Sequence, residues 1–219
     1  HIAVTVDGTS VKMYINGSQF GSSGTSSQSL AAGQESLIIG NYGPASGSTN
    51  FDGEIDQVRI YNTALTASNI STLYAEKYTY ITKNANQPFG DSSCIAYYKF
   101  ENNSNDQIGS YNATNNNVTY MTNNVPFGTY AGVFNGTNAY YNISTSFRDA
   151  LDNNFSISFW MKTPSTALSS STQYTHASGY YYAGSGSSEG WLVYTYNTWL
   201  YWYWVSSYGV GNNIASSAN

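Results

Sequence analysis

The strongest constraint on this chain is a short, repeated alternation of apolar and polar residues, cut at regular intervals by turn dipeptides. Phe155, Ile157 and Phe159 alternate with Ser156, Ser158 and Trp160, and Val11, Met13 and Ile15 alternate with Lys12 and Tyr14. A period of two sends successive side chains to opposite faces of a strand, so each such run reads as a half-buried β-strand. Asp7-Gly8 and Asn16-Gly17 stand at the ends of two of these runs, where a tight hairpin turn needs residues that tolerate positive φ.

The same reading finds strands at His1–Val6, Val11–Ile15, Leu37–Gly40, Ile55–Tyr61, Ile95–Phe100, Val118–Met121, Ala131–Phe134, Tyr140–Ile143 and Phe155–Met161, and an aromatic tract from Trp191 to Trp204. Residues 21–36 and 41–50 read as loops. One helix is expected near 67–76. Thr66 can cap it, Leu65 and Ile70 have the spacing of a hydrophobic staple, and Ile70, Leu73 and Tyr74 share a face. Residues 81–93 read as a linker between 1–80 and 94–219.

Composition narrows the function classes. With 22 Tyr, 5 Trp and only 9 % charged residues, the chain has the aromatics that disordered chains lack. Seven basic residues against 12 acidic ones, without a Lys/Arg cluster, argue against a nucleic-acid partner. No apolar run reaches the ~20 residues a membrane helix needs, so no membrane insertion is expected. The single Cys94 cannot form a disulfide within the chain and reads as a buried, inert thiol. His1 and His176 stand alone, away from other zinc-type ligands. Eight Asn-x-Ser/Thr sequons occur, at Asn16, Asn69, Asn102, Asn112, Asn117, Asn135, Asn142 and Asn154. In a chain this rich in Asn, Ser and Thr, chance supplies many of them.

The order of the motifs carries more than any one of them. The stretch His1-Ile-Ala-Val-Thr-Val-Asp-Gly, Lys12-Met-Tyr-Ile-Asn-Gly, Leu37-Ile-Ile-Gly, Phe51-Asp-Gly-Glu-Ile-Asp-Gln-Val-Arg-Ile-Tyr-Asn and Ile70 to Tyr74 resembles the second half of a laminin-G-like, concanavalin A-like jelly roll. The stretch Ala96-Tyr-Tyr-Lys-Phe-Glu-Asn, Gly132-Val-Phe-Asn-Gly, Tyr140 to Ile143 and Phe155-Ser-Ile-Ser-Phe-Trp-Met-Lys resembles the first half. The resemblance implies an all-β, antiparallel two-sheet jelly-roll sandwich with one short helix. The second half precedes the first, which implies either one period of a tandem array cut out of phase or a circularly permuted single sandwich. His1 opens the chain within a strand, so a longer polypeptide is expected around it.

Three groups of candidate site residues follow. Glu54-x-Asp56 resembles the Glu-x-Asp-x-x-Glu strand of laminarinase-type glycosidases, but Arg59 stands where the second Glu is needed. A cation cannot serve as the acid/base carboxylate, so no enzyme activity is expected. The resemblance also implies a structural Ca²⁺ held by Asp56 and Glu101, hard oxygen ligands on neighbouring strands. The alternative is that Asp56 pairs with Arg59 or Lys99 and caps a turn. Trp191, Trp199, Trp202 and Trp204 belong to a tract with aromatics on both strand faces. One face should be core, and the other should stack on sugar or bury against a neighbouring domain.

Two functions follow. The first is a structural or adhesive repeat of a virion fibre or extracellular surface filament, packed against neighbouring copies and contacting surface glycans. Bacteriophage appendage and bacterial surface proteins carry domains of this resemblance. The second is a calcium-dependent carbohydrate-binding module of a larger secreted protein. Either places the chain outside the cell or on the virion surface.

Overall fold

A computed structural model describes residues 1–25, 36–41, 50–76, 86–148, 150–151, 154–163, 174–183, 187–196, 199–205 and 211–217, some of these by backbone alone. The first part of the chain supplies β1 (Ile2–Asp7), β2 (Ser10–Ile15), β3 (Ser18–Thr25), β4 (Leu37–Ile39), β5 (Asp52–Tyr61) and helix α1 (Ala67–Ala75). The remainder supplies β6 (Cys94–Tyr98), β7 (Thr114–Asn116), β8 (Thr119–Met121), β9 (Ala131–Asn135), β10 (Tyr140–Ile143), a single helical turn α2 (Thr145–Arg148), β11 (Asn154–Lys162), β12 (Tyr174–Ala183), β13 (Ser187–Tyr196), β14 (Trp199–Val205) and β15 (Gly211–Ser217).

These strands form two antiparallel sheets. One runs β3-β2-β1-β11-β5-β9-β8, with β6 also on β5, and the other runs β15-β14-β13-β12-β4-β10-β7. Strands from residues 1–80 and 94–219 share both sheets, with a strand of one part inserted between strands of the other in each. β11 lies between β1 and β5, with Val4 opposite Ile157 and Ile60 opposite Ile157 on the other side. β4 lies between β10 and β12. The fold is thus the all-β, two-sheet sandwich implied by the motif order, with each sheet assembled from both parts of this chain.

The alternation explains the core. Val4, Met13, Ile39, Ile60, Phe134, Tyr141, Ile157 and Phe159 are among the side chains facing inward between the sheets. The eight-stranded sheet also buries its outer face, because α1 lies on it. Ala3, Tyr14, Tyr61, Ile70, Leu73, Cys94 and Tyr97 form a second apolar cluster there. That is why β1 is buried at five successive positions rather than at every other one.

α1 starts where its caps dictate. The Thr66 side chain accepts from the Asn69 amide, and Asn69 accepts from the Thr66 amide, in a reciprocal capping box. Five features depart from the sequence reading, two of them the strands β12 and β15, which it did not anticipate. β3 occupies 18–25, partly inside the expected loop, and is exposed along most of its length. β7 and α2 were not expected. Residues 81–85 of the expected linker, and most of the expected loops at 21–36 and 41–50, lie outside the described residues.

Candidate functional site

The site residues owe their positions to a break in β5. Residues Asp52–Ile55 pair with β9, whereas Val58–Tyr61 pair with β6. At the switch the register against β11 slips, with Ser158 opposite Arg59 but Trp160 opposite Asp56. The extra residue is Gln57, held at φ 53°. Such a bulge leaves one residue out of the ladder and re-aims its neighbours. Asp56 therefore sits in the fork where β6 and β9 diverge.

Glu101 approaches the same fork from the end of β6. It follows Phe100, another non-glycine residue at positive φ (56°), whose ring is locked against Tyr141 at 4.8 Å. Both Glu101 carboxylate oxygens accept from the Thr129 amide, at 3.0 and 3.1 Å. Gly128 makes this possible. It has φ 64°, and a Cβ there would sit 1.6 Å from Glu101 Oε1.

Asp56 is 2 % exposed. Its Oδ1 accepts from the Gln57 amide (2.8 Å) and from Gln57 Nε2 (3.3 Å), and the carboxyl is buried with the Phe127 backbone N–H beside it. Burial pushes its carboxyl up to about 8. Gln57 pulls the other way, and the nearby negative charge of Glu101 adds to the rise. The two acids are therefore electrostatic neighbours. Their oxygens are of the hard type that calcium takes. Among the described residues no group of three or more His, Cys, Asp or Glu side chains gathers.

Arg59 takes another course from the turn-capping alternative. Its guanidinium bonds Glu76 Oε2 at 2.5 Å and the Tyr97 hydroxyl at 3.1 Å, and it lies 4.4 Å from the centre of the Tyr97 ring. Lys99 also lies over that ring, at 5.2 Å. Glu54 lies against Lys162, 3.2 Å away. The Glu54-x-Asp56 strand thus carries one acid in an ion pair, one buried acid, and a buried cation in the third position.

The aromatic tract is a hairpin, β13–β14, with Tyr194 opposite Tyr201 and Tyr196 opposite Trp199. Strand alternation sorts its rings by face. Trp191 (5 % exposed) and Trp202 (0 %) point into the core, stacked on each other at 5.1 Å and packed on Phe155. Neither is open to a ligand. Trp199 points outward, 39 % exposed beside Tyr196 at 37 %. Tyr194 and Tyr201 stack face to face at 4.8 Å on the same side. Trp204 stands opposite Trp191 in the ladder; its side chain and that of His176 lie outside the described residues. Tyr196 and Tyr201, absent from the tryptophan candidates, share this outer side, where Tyr194 is itself buried, and parity along the strand is the signal that identifies them.

Other polar candidates have structural work. Asn112, Asn135 and Asn154, three of the sequon residues, accept backbone N–H groups of Asp106, Ala139 and Gly8. The Cys94 thiol is buried and pushed up to about 12 by that burial, which leaves it unreactive. No helix among the described residues is long and apolar enough to cross a membrane.

Residues 1–71 match a laminin G family model described as the concanavalin A-like lectin/glucanases superfamily. No curated protein and no solved structure matches the chain. The matched stretch spans β1 to β5 and the start of α1, and includes Asp56. A superfamily of lectins and glucanases points to a carbohydrate-binding or structural role.

Proposed function

We propose that this chain, laminin-G-like over residues 1–71, is a non-catalytic adhesive sandwich of an extracellular or virion-surface filament, and that it contacts surface glycan through the outer face of the β13–β14 hairpin. The observation that carries this reading is the outward face of the hairpin, where Tyr196 and Trp199 are the large exposed apolar side chains of the described surface and Tyr201 is half-buried against the buried Tyr194. Pyranose rings present an apolar C–H face to such aromatics, and an aromatic pair already stacked is rigid before the ligand arrives. The pairing of Glu54 with Lys162 and of Arg59 with Glu76 supports the absence of hydrolysis, since no matched carboxylate pair is left on that strand.

Trp199→Ala combined with Tyr201→Ala tests the reading on a glycan array. Loss of binding with the melting temperature intact is expected. Unchanged glycan binding, or binding lost only through a change in filament length, would move the aromatic face to a contact between neighbouring copies. Turnover of a β-glucan would overturn the non-catalytic reading.

Calcium belongs to the same proposal. Asp56 and Glu101 would hold it, and its charge would offset two acids that otherwise repel. Chelation is expected to lower the melting temperature of the chain and to leave that of Asp56→Ala unmoved.

A further inference from the structure

The β13–β14 hairpin holds two phenols in direct ring contact. Tyr194 and Tyr201 stand opposite each other in the ladder, with ring centroids 4.8 Å apart and ring planes within 5° of parallel. Carbons in contact lie about 3.5–4.0 Å apart, so parallel rings at that separation are offset, and the edge of each overlies its partner. In a phenoxyl radical the unpaired spin is shared with the ring carbons ortho to the oxygen. Tyr120 and Tyr141 meet differently, hydroxyl to hydroxyl at 2.5 Å, and the face of the Tyr141 ring is taken by Phe100.

The stacked pair is reached from solvent in steps. Tyr196 and Trp199 are exposed at the end of the same face, Tyr201 is half-buried, and Tyr194 is buried. Burial pushes the Tyr194 phenol up to about 12, and the neighbouring Tyr201, Tyr203 and Tyr196 add to the rise. At neutral pH Tyr194 therefore keeps its proton and gives it up only together with an electron. Three further phenols stand near enough to pass an oxidising equivalent inward.

We infer that Tyr194 and Tyr201 are the site of an oxidative cross-link, formed when a haem peroxidase and hydrogen peroxide act on the folded chain. Each phenol loses one electron and one proton and becomes a phenoxyl radical. The two radicals pair at carbons ortho to their oxygens, forming one C–C bond. Each of those carbons then releases its hydrogen as a proton while its oxygen takes one up. Two tyrosines and one hydrogen peroxide thus give one dityrosine and two water molecules. The new bond staples β13 to β14 towards one end of the seven-stranded sheet, with β15 beyond it. A cross-link restricts the unfolded chain, so the stapled hairpin resists peeling. The site goes beyond the glycan reading, and it is tested without glycan, so either can fail alone.

The experiment treats the full chain, at several dilutions, with hydrogen peroxide and a haem peroxidase. The monomer is expected to become two hydrogen atoms lighter and to gain dityrosine fluorescence in a yield that dilution does not change. Its chymotryptic peptides should be joined through Tyr194 and Tyr201, and its urea midpoint should rise above that of untreated protein. Tyr201→Phe keeps the ring and removes the phenol, so the joined peptides should be lost, whereas Tyr120→Phe should retain them. The inference is overturned if the monomer gains no dityrosine, if the link maps to other tyrosines, or if it forms only between chains and fades on dilution. A stapled chain that unfolds at the untreated midpoint would overturn it as well.

Discussion

At the scale of single residues, the fork at Asp56 has a pH signature. The folded chain keeps the Asp56 proton up to about 8, whereas an unfolded aspartate releases it near 4. Between those values the folded state binds more protons, so stability falls as pH rises through the window and levels off above it. In chelated protein, urea midpoints should decline from about pH 4 to about pH 8, and Asp56→Asn should flatten that decline. A midpoint that rises through the window would contradict the burial of this carboxyl. Gly40 provides a second residue-scale test. It has φ 88°, and a Cβ there would lie 2.2 Å from the Phe134 ring. Gly40→Ala should cost about 3 kcal/mol in urea unfolding, because the backbone strain and the overpacking act together. Asp56 and Glu101 were legible as a pair only through the resemblance, because 45 residues of sequence hide a fork made by strand pairing. The bulge at Gln57 leaves no mark in composition, since glutamine is not a residue that advertises positive φ.

At the scale of elements, apolar patterning did most of the work where a strand has at least one buried face, and failed where neither face is buried. β11 and β2 announce themselves by alternation. β3, exposed along most of its length, reads as loop because nothing in Ser18–Thr25 distinguishes inside from outside. β7 is three polar residues, Thr-Asn-Asn, held by its ladder to β10. The hairpin of β13 and β14 was visible as an aromatic tract, but its sorting into faces required the register. That sorting is testable. Trp202→Ala removes a fully buried ring from the stack with Trp191 and should cost about 4 kcal/mol, while Trp199→Ala should cost less than about 0.5 kcal/mol. The ratio between these two urea-unfolding measurements reports which face is inside. For α1, Thr66→Ala should cost about 1 kcal/mol by removing the capping box.

At the scale of the whole molecule, the insertion of β11 between β1 and β5 and of β4 between β10 and β12 couples residues 1–80 and 94–219 mechanically. Unfolding followed by tryptophan fluorescence and by far-UV circular dichroism should give coincident transitions, since neither part retains a closed sheet once the other leaves. Two separated transitions would show that the parts have independent cores. The ladder between β1 and β11 has a further consequence for synthesis. Ile2 waits for Phe159, and β5 waits for the same strand, so the central rungs of this sheet cannot form until β11 has left the ribosome. Loop closure over such separations is slow, on the order of milliseconds to seconds for β proteins. During that interval Ile2–Val6, buried at every position when folded, is displayed as a sticky apolar segment beside a growing chain. Such a protein should depend on a holding chaperone during production, and its yield at raised temperature should follow chaperone supply more closely than it follows equilibrium stability.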